Sequence, residues 1–202
     1  MSHILALARN IPQATAALKA GRWDRNLYTG TELSGKVLGV IGVGRIGREV
    51  ASWCRGFGMT TIGYDPVLSE QSARSFGVDP VGIDELFATA DFITIHTPLT
   101  KETANIINAA NLKKCKPGVR IINCARGGIV DEDALLEAIK SGHVHGAALD
   151  VLLVEPPTDA SKELRMHHNV IITPHLGAST YDAQVRPKLL SFLLTCYMLT
   201  PS

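Results

Sequence analysis

Three glycines at GxGxxG spacing, Gly42, Gly44 and Gly47, stand between the apolar run "VLGVI" and the helix-like segment "RIGREVASW". That spacing suits a ligand that must come against bare main chain. The first glycine permits a tight turn, the second lets the backbone approach a pyrophosphate, and the third lets the helix pack on its strand; the helix N-terminus then holds the anion. Alone the pattern is weak, so its context decides. A second strand should follow and end, about 20 residues on, in an acid that hydrogen-bonds an adenosine ribose. Asp65, closing "TTIGYD", stands where this predicts. Its carboxylate would repel a 2′-phosphate and no cation directly follows it, which favours NAD over NADP. The competing account is an ordinary strand-to-helix turn, with Asp65 forming an Asx turn before Pro66.

The elements that would position these residues can be read from periodicity. Six short β-branched runs, "KVLGVIG", "TTIGYD", "DFITIHT", "VRIINCA", "VHGAALDV" and "NVIITPH", alternate with helix-sized segments. Their nearly continuous apolar character marks strands buried on both faces of a parallel sheet. A first amphipathic helix is expected over Ile4 to Lys19, ending at Gly21. The segment "VDEDALLEAIKSG" opens with Asp131, Glu132 and Asp133 and closes on Gly142, as the helix dipole and a left-handed cap favour. The pattern predicts a doubly wound α/β sheet of the Rossmann type. No internal repeat, low-complexity segment or linker divides the chain, so a single domain over residues 1–202 is expected.

Composition narrows the function classes. A hydrophobic content of 46% in 202 residues supplies a real core. A net charge of +1 without Lys/Arg blocks lacks the electrostatic footprint of a nucleic-acid binder. Cys54, Cys115, Cys124 and Cys196 form no CxxC pair, which suggests neither a disulfide framework nor a zinc knuckle and fits the reducing cytoplasm. The opening "MSHILALARNIPQA" has no secretory n-region followed by a clean apolar stretch. The tail "LLSFLLTCYMLT" is too short to cross a bilayer, which takes about 20 helical residues. No membrane partner is expected. Two histidine pairs, His143 with His145 and His167 with His168, lack a nearby third ligand, so no metal is expected.

Further chemistry-bearing residues lie downstream. Arg126 follows the fourth apolar run, and Gly127 and Gly128 put it just past a strand's carboxyl end, where open α/β sheets bind ligands; a plain surface arginine is the alternative. Taken alone, His175 in "TPHLGA" reads as a loop histidine, and Glu155 in "VEPP" as a solvated turn residue. Nothing in the spacing brings those two together.

The segments "GTELSGKVLGVIGVGRIGREVA", "FGMTTIGYDP", "CARGGIVDE" and "HLGAST" stand in the order found in the D-isomer-specific 2-hydroxyacid dehydrogenases, which this chain resembles from about residue 6 to 186. Within that family the wording is most like members acting on a phosphorylated 2-hydroxy acid. The resemblance implies that Arg126 grips the substrate carboxylate and polarises C2, a task suited to a planar, permanently charged guanidinium. It implies that His175 is the acid/base, work for which histidine's ordinary titration range is apt, and that Glu155 fixes the imidazole tautomer. It places Arg45 and Ile46 beside the pyrophosphate, Thr97 and Pro98 after the strand "DFITIHT", and Cys124 and Ala125 beside the nicotinamide. Asp150 would lie near the carboxamide, with Leu176, Gly177 and Ala178 following the histidine. Cys124 is expected to be largely buried at a strand end and not to act as a nucleophile.

The resemblance also implies a second domain, built mostly from residues preceding the point that matches Met1, and expected to carry much of the substrate site. After Arg186 the likeness stops, and residues 187–202, beginning with a helix-breaking Pro187, form a divergent tail. Three functions are therefore weighed: NAD-dependent oxidation of a phosphorylated 2-hydroxy acid; an NAD-binding module with little turnover; and a different 2-hydroxyacid reductase or NAD-sensing corepressor. Family members are dimers or larger, so a homodimer is expected.

Overall fold

The computed structural model describes residues 1–183. Pro187, Cys196 and the apolar tail lie outside the described residues. Seven parallel strands form one sheet: β1 (Val37–Ile41), β2 (Thr60–Tyr64), β3 (Asp79–Pro80), β4 (Phe92–Ile95), β5 (Val119–Asn123), β6 (Val144–Leu149) and β7 (Val170–Ile172), in the spatial order β3-β2-β1-β4-β5-β6-β7. Six are the runs read from sequence. The seventh, β3, is a two-residue edge strand whose proline lacks a ladder donor, too short and too poor in β-formers to show a period.

Helices cover both faces. They are α1 (Ser2–Arg9), α2 (Ile11–Lys19), α3 (Arg45–Gly56), α4 (Glu70–Ser75), α5 (Ile83–Thr89), α6 (Ala109–Lys114), α7 (Glu132–Lys140) and α8 (Lys162–Met166). One face packs Ile4 and Leu7 of α1 and Val50, Ala51 and Cys54 of α3 against Leu38, Val40, Phe92 and Ile122 of the sheet. The other packs Leu86 and Phe87 of α5, Leu112 of α6, and Leu135 and Ile139 of α7 against Ile41, Ile93, Ile95 and Ile121. Alternate residues of β1, β4 and β5 thus enter opposite cores, which is why each strand reads as continuously apolar.

The single helix expected over residues 4–19 is two. Asn10 turns left-handed at φ 53°, ψ 35° and separates α1 from α2. The cause is Pro12. Continuing α1 would ask residue 12 to donate to the Ala8 carbonyl, whereas proline has no N–H and its ring would strike that oxygen. The Ala8 carbonyl instead accepts from Thr31 N–H at 2.8 Å. Pro12 falls in the first turn of α2, where a missing donor costs nothing.

Strand β1 pairs with β2 on one side and β4 on the other, so the winding direction reverses at β1 and the chain splits apart beyond its carboxyl end. Open α/β sheets place their ligand crevice at such a point.

Candidate active site

The glycine loop leaves β1 and enters α3. Gly42 has φ +88°, and a Cβ there would lie 2.8 Å from the His96 carbonyl oxygen, so both conformation and space require glycine. A Cβ on Gly47 would come 2.0 Å from the Gly42 carbonyl oxygen. Helix α3 can start this close to β1 only because that atom is missing. Gly44 differs: a Cβ would meet nothing within 4 Å, and its φ of −71° is open to any residue. What the backbone leaves at Gly44 is room.

Three other helices carry side-chain caps, from Ser69 on α4, Asn108 on α6 and Asp131 on α7. Helix α3 begins at Gly44 with no side-chain cap and no acid in its first turn, and Gly44, Arg45 and Ile46 are exposed. An uncapped N-terminus beside open space is a fit for an anionic group.

A cleft of about 540 Å³ runs from Gly42 and Gly44 past Asp65 and His96 to Thr97 and Pro98. Asp65 is tied down on its protein side: Oδ2 accepts from Val43 N–H at 2.9 Å, while Oδ1 accepts from Val67 N–H at 3.0 Å and Leu68 N–H at 3.2 Å. The residue expected to hold a ribose thus also clamps the glycine loop to the end of β2. A carboxylate offers roughly four acceptor positions, so one is left for a ligand. Nearby, His96 Nε2 lies 2.9 Å from Thr94 Oγ1, and burial pushes its imidazole down to about 4.

Beyond β5 the "CARGG" loop is held by Asn123, a buried amide. Its Oδ1 accepts from Ala125 N–H at 3.0 Å and its Nδ2 donates to the Arg126 carbonyl at 3.0 Å. Gly127 lets this loop lie on the next one, since a Cβ there would fall 2.0 Å from the Leu152 carbonyl oxygen. Arg126 is exposed, and its Nη1 donates to the Ala125 carbonyl at 2.6 Å. Among the described residues no hydrogen bond or ion pair joins Arg126 to His175 or Glu155.

Cys124 corrects an expectation. It is exposed, not buried, because β5 ends at Asn123 and residue 124 lies beyond the helices that cover the sheet. The protein around its sulfur still pushes the thiol up to about 11, helped by the negative charge of Asp150. It is a protonated thiol at neutral pH and a poor nucleophile.

Asp150, at the end of β6, is buried. Oδ1 accepts from the Thr173 hydroxyl and from Leu176 N–H at 2.8 Å; Oδ2 accepts from Gly177 N–H at 2.7 Å. Burial pushes this carboxyl up, but these donors outweigh it and leave it below the ordinary range, so it is ionised. The same loop carries His175 in the left-handed region at φ 54°.

His175 and Glu155, which the sequence spacing leaves apart, meet. Nδ1 of His175 lies 2.8 Å from Oε2 of Glu155, while Oε1 accepts from Leu152 N–H at 2.9 Å. The histidine and the backbone amide lower the Glu155 carboxyl. A cleft of about 620 Å³, lined by Leu152, Pro156, Met166 and Pro174, opens beside the pair. With Nδ1 engaged by a carboxylate, Nε2 is the nitrogen available for proton transfer. The neighbouring Leu176, Gly177 and Ala178 are exposed.

Sequence reasoning missed Asn123, Thr173, His96 and Glu132, whose Oε1 accepts from Leu153 N–H at 2.5 Å and holds the Glu155 loop. A polar residue closing an apolar strand run was the available signal for the first three. For Glu132 none exists, since it reads fully as a helix N-terminal acid. Of the histidine pairs, His143 Nε2 bonds the Leu112 carbonyl at 2.9 Å, and His167 stacks on His168 with centroids 4.6 Å apart. Among the described residues no three His, Cys, Asp or Glu side chains gather. No helix among them is long and apolar enough to cross a membrane.

Residues 1–177 match the family model for the D-isomer specific 2-hydroxyacid dehydrogenase, NAD binding domain. The chain belongs to this family. It is 56% identical over 183 residues to D-3-phosphoglycerate dehydrogenase of Rattus norvegicus, covering 91% of this chain and 34% of that protein. It is 54% identical over 182 residues to the Bacillus subtilis enzyme of the same name, covering 90% and 34%. The chain therefore spans about a third of the length of these curated relatives. Among solved structures, D-lactate dehydrogenase from Aquifex aeolicus, complexed with NAD and lactic acid, superposes with a TM-score of 0.86 at 33% identity, covering 97% of this chain and 63% of that one. A glyoxylate reductase from Paecilomyes thermophila gives 0.85 at 36% identity, covering 93% and 56%. The fold is the Rossmann-type NAD-binding domain of this family, and NAD is its cofactor.

Proposed function

We propose that this chain acts as one NAD-binding unit of a D-2-hydroxyacid dehydrogenase that oxidises D-3-phosphoglycerate to 3-phosphohydroxypyruvate, the first step of L-serine synthesis. The names of the relatives support that substrate. The observation that carries the chemistry is the 2.8 Å pairing of His175 with Glu155, which lines its own cleft beyond the carboxyl ends of β6 and β7.

The cradle at Gly44, the free α3 N-terminus at Arg45 and Ile46, and Asp65 would hold the dinucleotide's diphosphate and ribose, with Thr97 and Pro98 along the cleft. Cys124, Ala125, Asp150 and the 176–178 loop would face the nicotinamide. Bound NAD supplies the hydride acceptor. The protein's own part is the proton. His175 Nε2 takes the substrate hydroxyl proton, and Glu155 across Nδ1 holds the tautomer and favours the resulting imidazolium. Arg126 supplies a planar, bidentate partner for the substrate carboxylate and draws charge from C2.

One preparation tests this. NADH is titrated by fluorescence, and NAD reduction is assayed with D-3-phosphoglycerate. His175→Gln should retain NADH binding and lose turnover by about 10²- to 10⁴-fold. Unchanged turnover removes the acid/base role, and NADH binding by a parental chain with no turnover selects the binding module.

A homodimer belongs to the same proposal. Leu18 on α2, Trp23 in the connecting loop and Leu27 on the 3₁₀ turn Arg25–Tyr28 are 56%, 80% and 75% exposed and offer an apolar surface. Sedimentation showing only monomer at high concentration would overturn it. Among the described residues Cys54, Cys115 and Cys124 form no disulfide, which is compatible with the cytoplasmic setting proposed.

A further inference from the structure

We propose that His3 is a positioning residue for His175, acting through the Thr173 hydroxyl and the Asp150 carboxylate. His3 sits on α1, 170 residues from Thr173 in sequence, yet its Nε2 lies 3.1 Å from Thr173 Oγ1. The hydroxyl has one hydrogen, and that hydrogen goes to Asp150 Oδ1. Thr173 Oγ1 can therefore only accept from His3, which fixes the imidazole as the Nε2–H form. Burial lowers the His3 imidazole more than Asp150 raises it, in keeping with a neutral ring that has a single N–H to give.

The far end of the relay is the acid/base loop. Asp150 grips Leu176 N–H and Gly177 N–H, the two amides following His175. On the other side His175 N–H donates to the Thr173 carbonyl at 3.0 Å. A non-glycine residue at φ 54° persists only where its surroundings over-determine it, and here Thr173 and Asp150 hold the backbone on both sides of His175 while Glu155 holds its ring. A donor on Oγ1 polarises the Thr173 O–H and strengthens its bond to the buried carboxylate. Without His3 the hydroxyl is free to rotate away, and Asp150 loses a donor it needs to stay charged in a buried place. Helix α1 thereby reaches the reacting histidine through two side chains.

The order of the loop is independent of the functional reading. Only the final link, from loop order to turnover, rests on His175 being the acid/base. The test measures amide exchange at Leu176 and Gly177 by NMR in the whole chain, without cofactor. His3→Phe keeps an aromatic ring without the donor, and His3→Gln keeps an N–H. His3→Phe should speed exchange at those two amides by about threefold to tenfold, the share of one ordinary hydrogen bond, and His3→Gln should stay within about twofold of the parent. In a Thr173→Val background His3→Phe should add nothing, since the relay is already cut. Where turnover is measured, His3→Phe should lower kcat and leave NADH affinity in place. The proposal fails if His3→Phe leaves the two amides unchanged, speeds exchange equally throughout α1 and β6, or acts undiminished in Thr173→Val. Loosened amides in a chain that neither binds NADH nor turns over would uphold the relay and sink the dehydrogenase reading; the reverse result would do the opposite.

Discussion

Protonation of His96 offers a direct check on how the cofactor cleft is built. Burial holds this imidazole at about 4 against an ordinary 6.5, so the folded protein keeps it neutral while the unfolded chain charges it as the medium acidifies. The sign follows from proton counting. Between about pH 6.5 and 4 the unfolded state binds the extra proton, so stability falls as pH falls through that window and levels off below it. Over the whole window the loss is about 3 kcal/mol, with about 2 kcal/mol of it between pH 7 and pH 5. Other groups titrate in the same range, among them His3, His145 and His167, all lowered chiefly by burial. The measurement is therefore a difference. Urea unfolding of the parent and of His96→Gln, at half-unit steps from pH 7.5 to 4.5, should give two stability curves that converge as pH drops, because the variant has no imidazole to charge. A gap between the curves that stays constant across that range to within about 0.5 kcal/mol would show that His96 is not held neutral by burial.

Three further outcomes separate fold from ligand. Gly47→Ala places a methyl 2.0 Å from the Gly42 carbonyl and should destabilise the chain by about 1–3 kcal/mol or more in urea unfolding, whereas Gly44→Ala, with nothing within 4 Å, should leave Tm in place and weaken NADH by about tenfold or more in fluorescence titration. Asp65→Arg should shift the NADH-to-NADPH affinity ratio toward NADPH and also loosen the glycine loop, because Val43, Val67 and Leu68 lose their acceptor; an unchanged ratio removes the ribose role. Glu155→Gln should lower kcat by about tenfold to a hundredfold, a part of what a positioned acid/base supplies, with NADH affinity kept. Because the Glu155 carboxyl is lowered by His175 and the Leu152 amide, the contribution of that pairing to stability is present above the ordinary glutamate value and is lost as pH falls through the folded one, which parent-minus-variant unfolding curves can check.

The glycine loop was legible because two of its glycines answer a local demand, a left-handed turn at Gly42 and a helix resting on a carbonyl at Gly47, while Gly44 meets no such demand and leaves room. The acid closing β2 was legible for a related reason, since strand and loop lengths place it at a set distance from that turn. Asp65 as a clamp on Val43 was not, for the bond depends on how β2 lies beside β1. The break at Asn10 could have been read from Pro12, and the amphipathic period carrying across it concealed the break.

By itself the sequence determined six of the seven strands and the acidic N-terminal cap of α7, because period and cap residues act over a few neighbouring positions. Only the tertiary structure brought Glu155 to His175, Asp150 to the amides of Leu176 and Gly177, His3 to Thr173, and Cys124 out to solvent. Those contacts join residues 20 to 170 positions apart, and what sets them is the strand order and the lie of the loops beyond β5, β6 and β7, which no local pattern encodes.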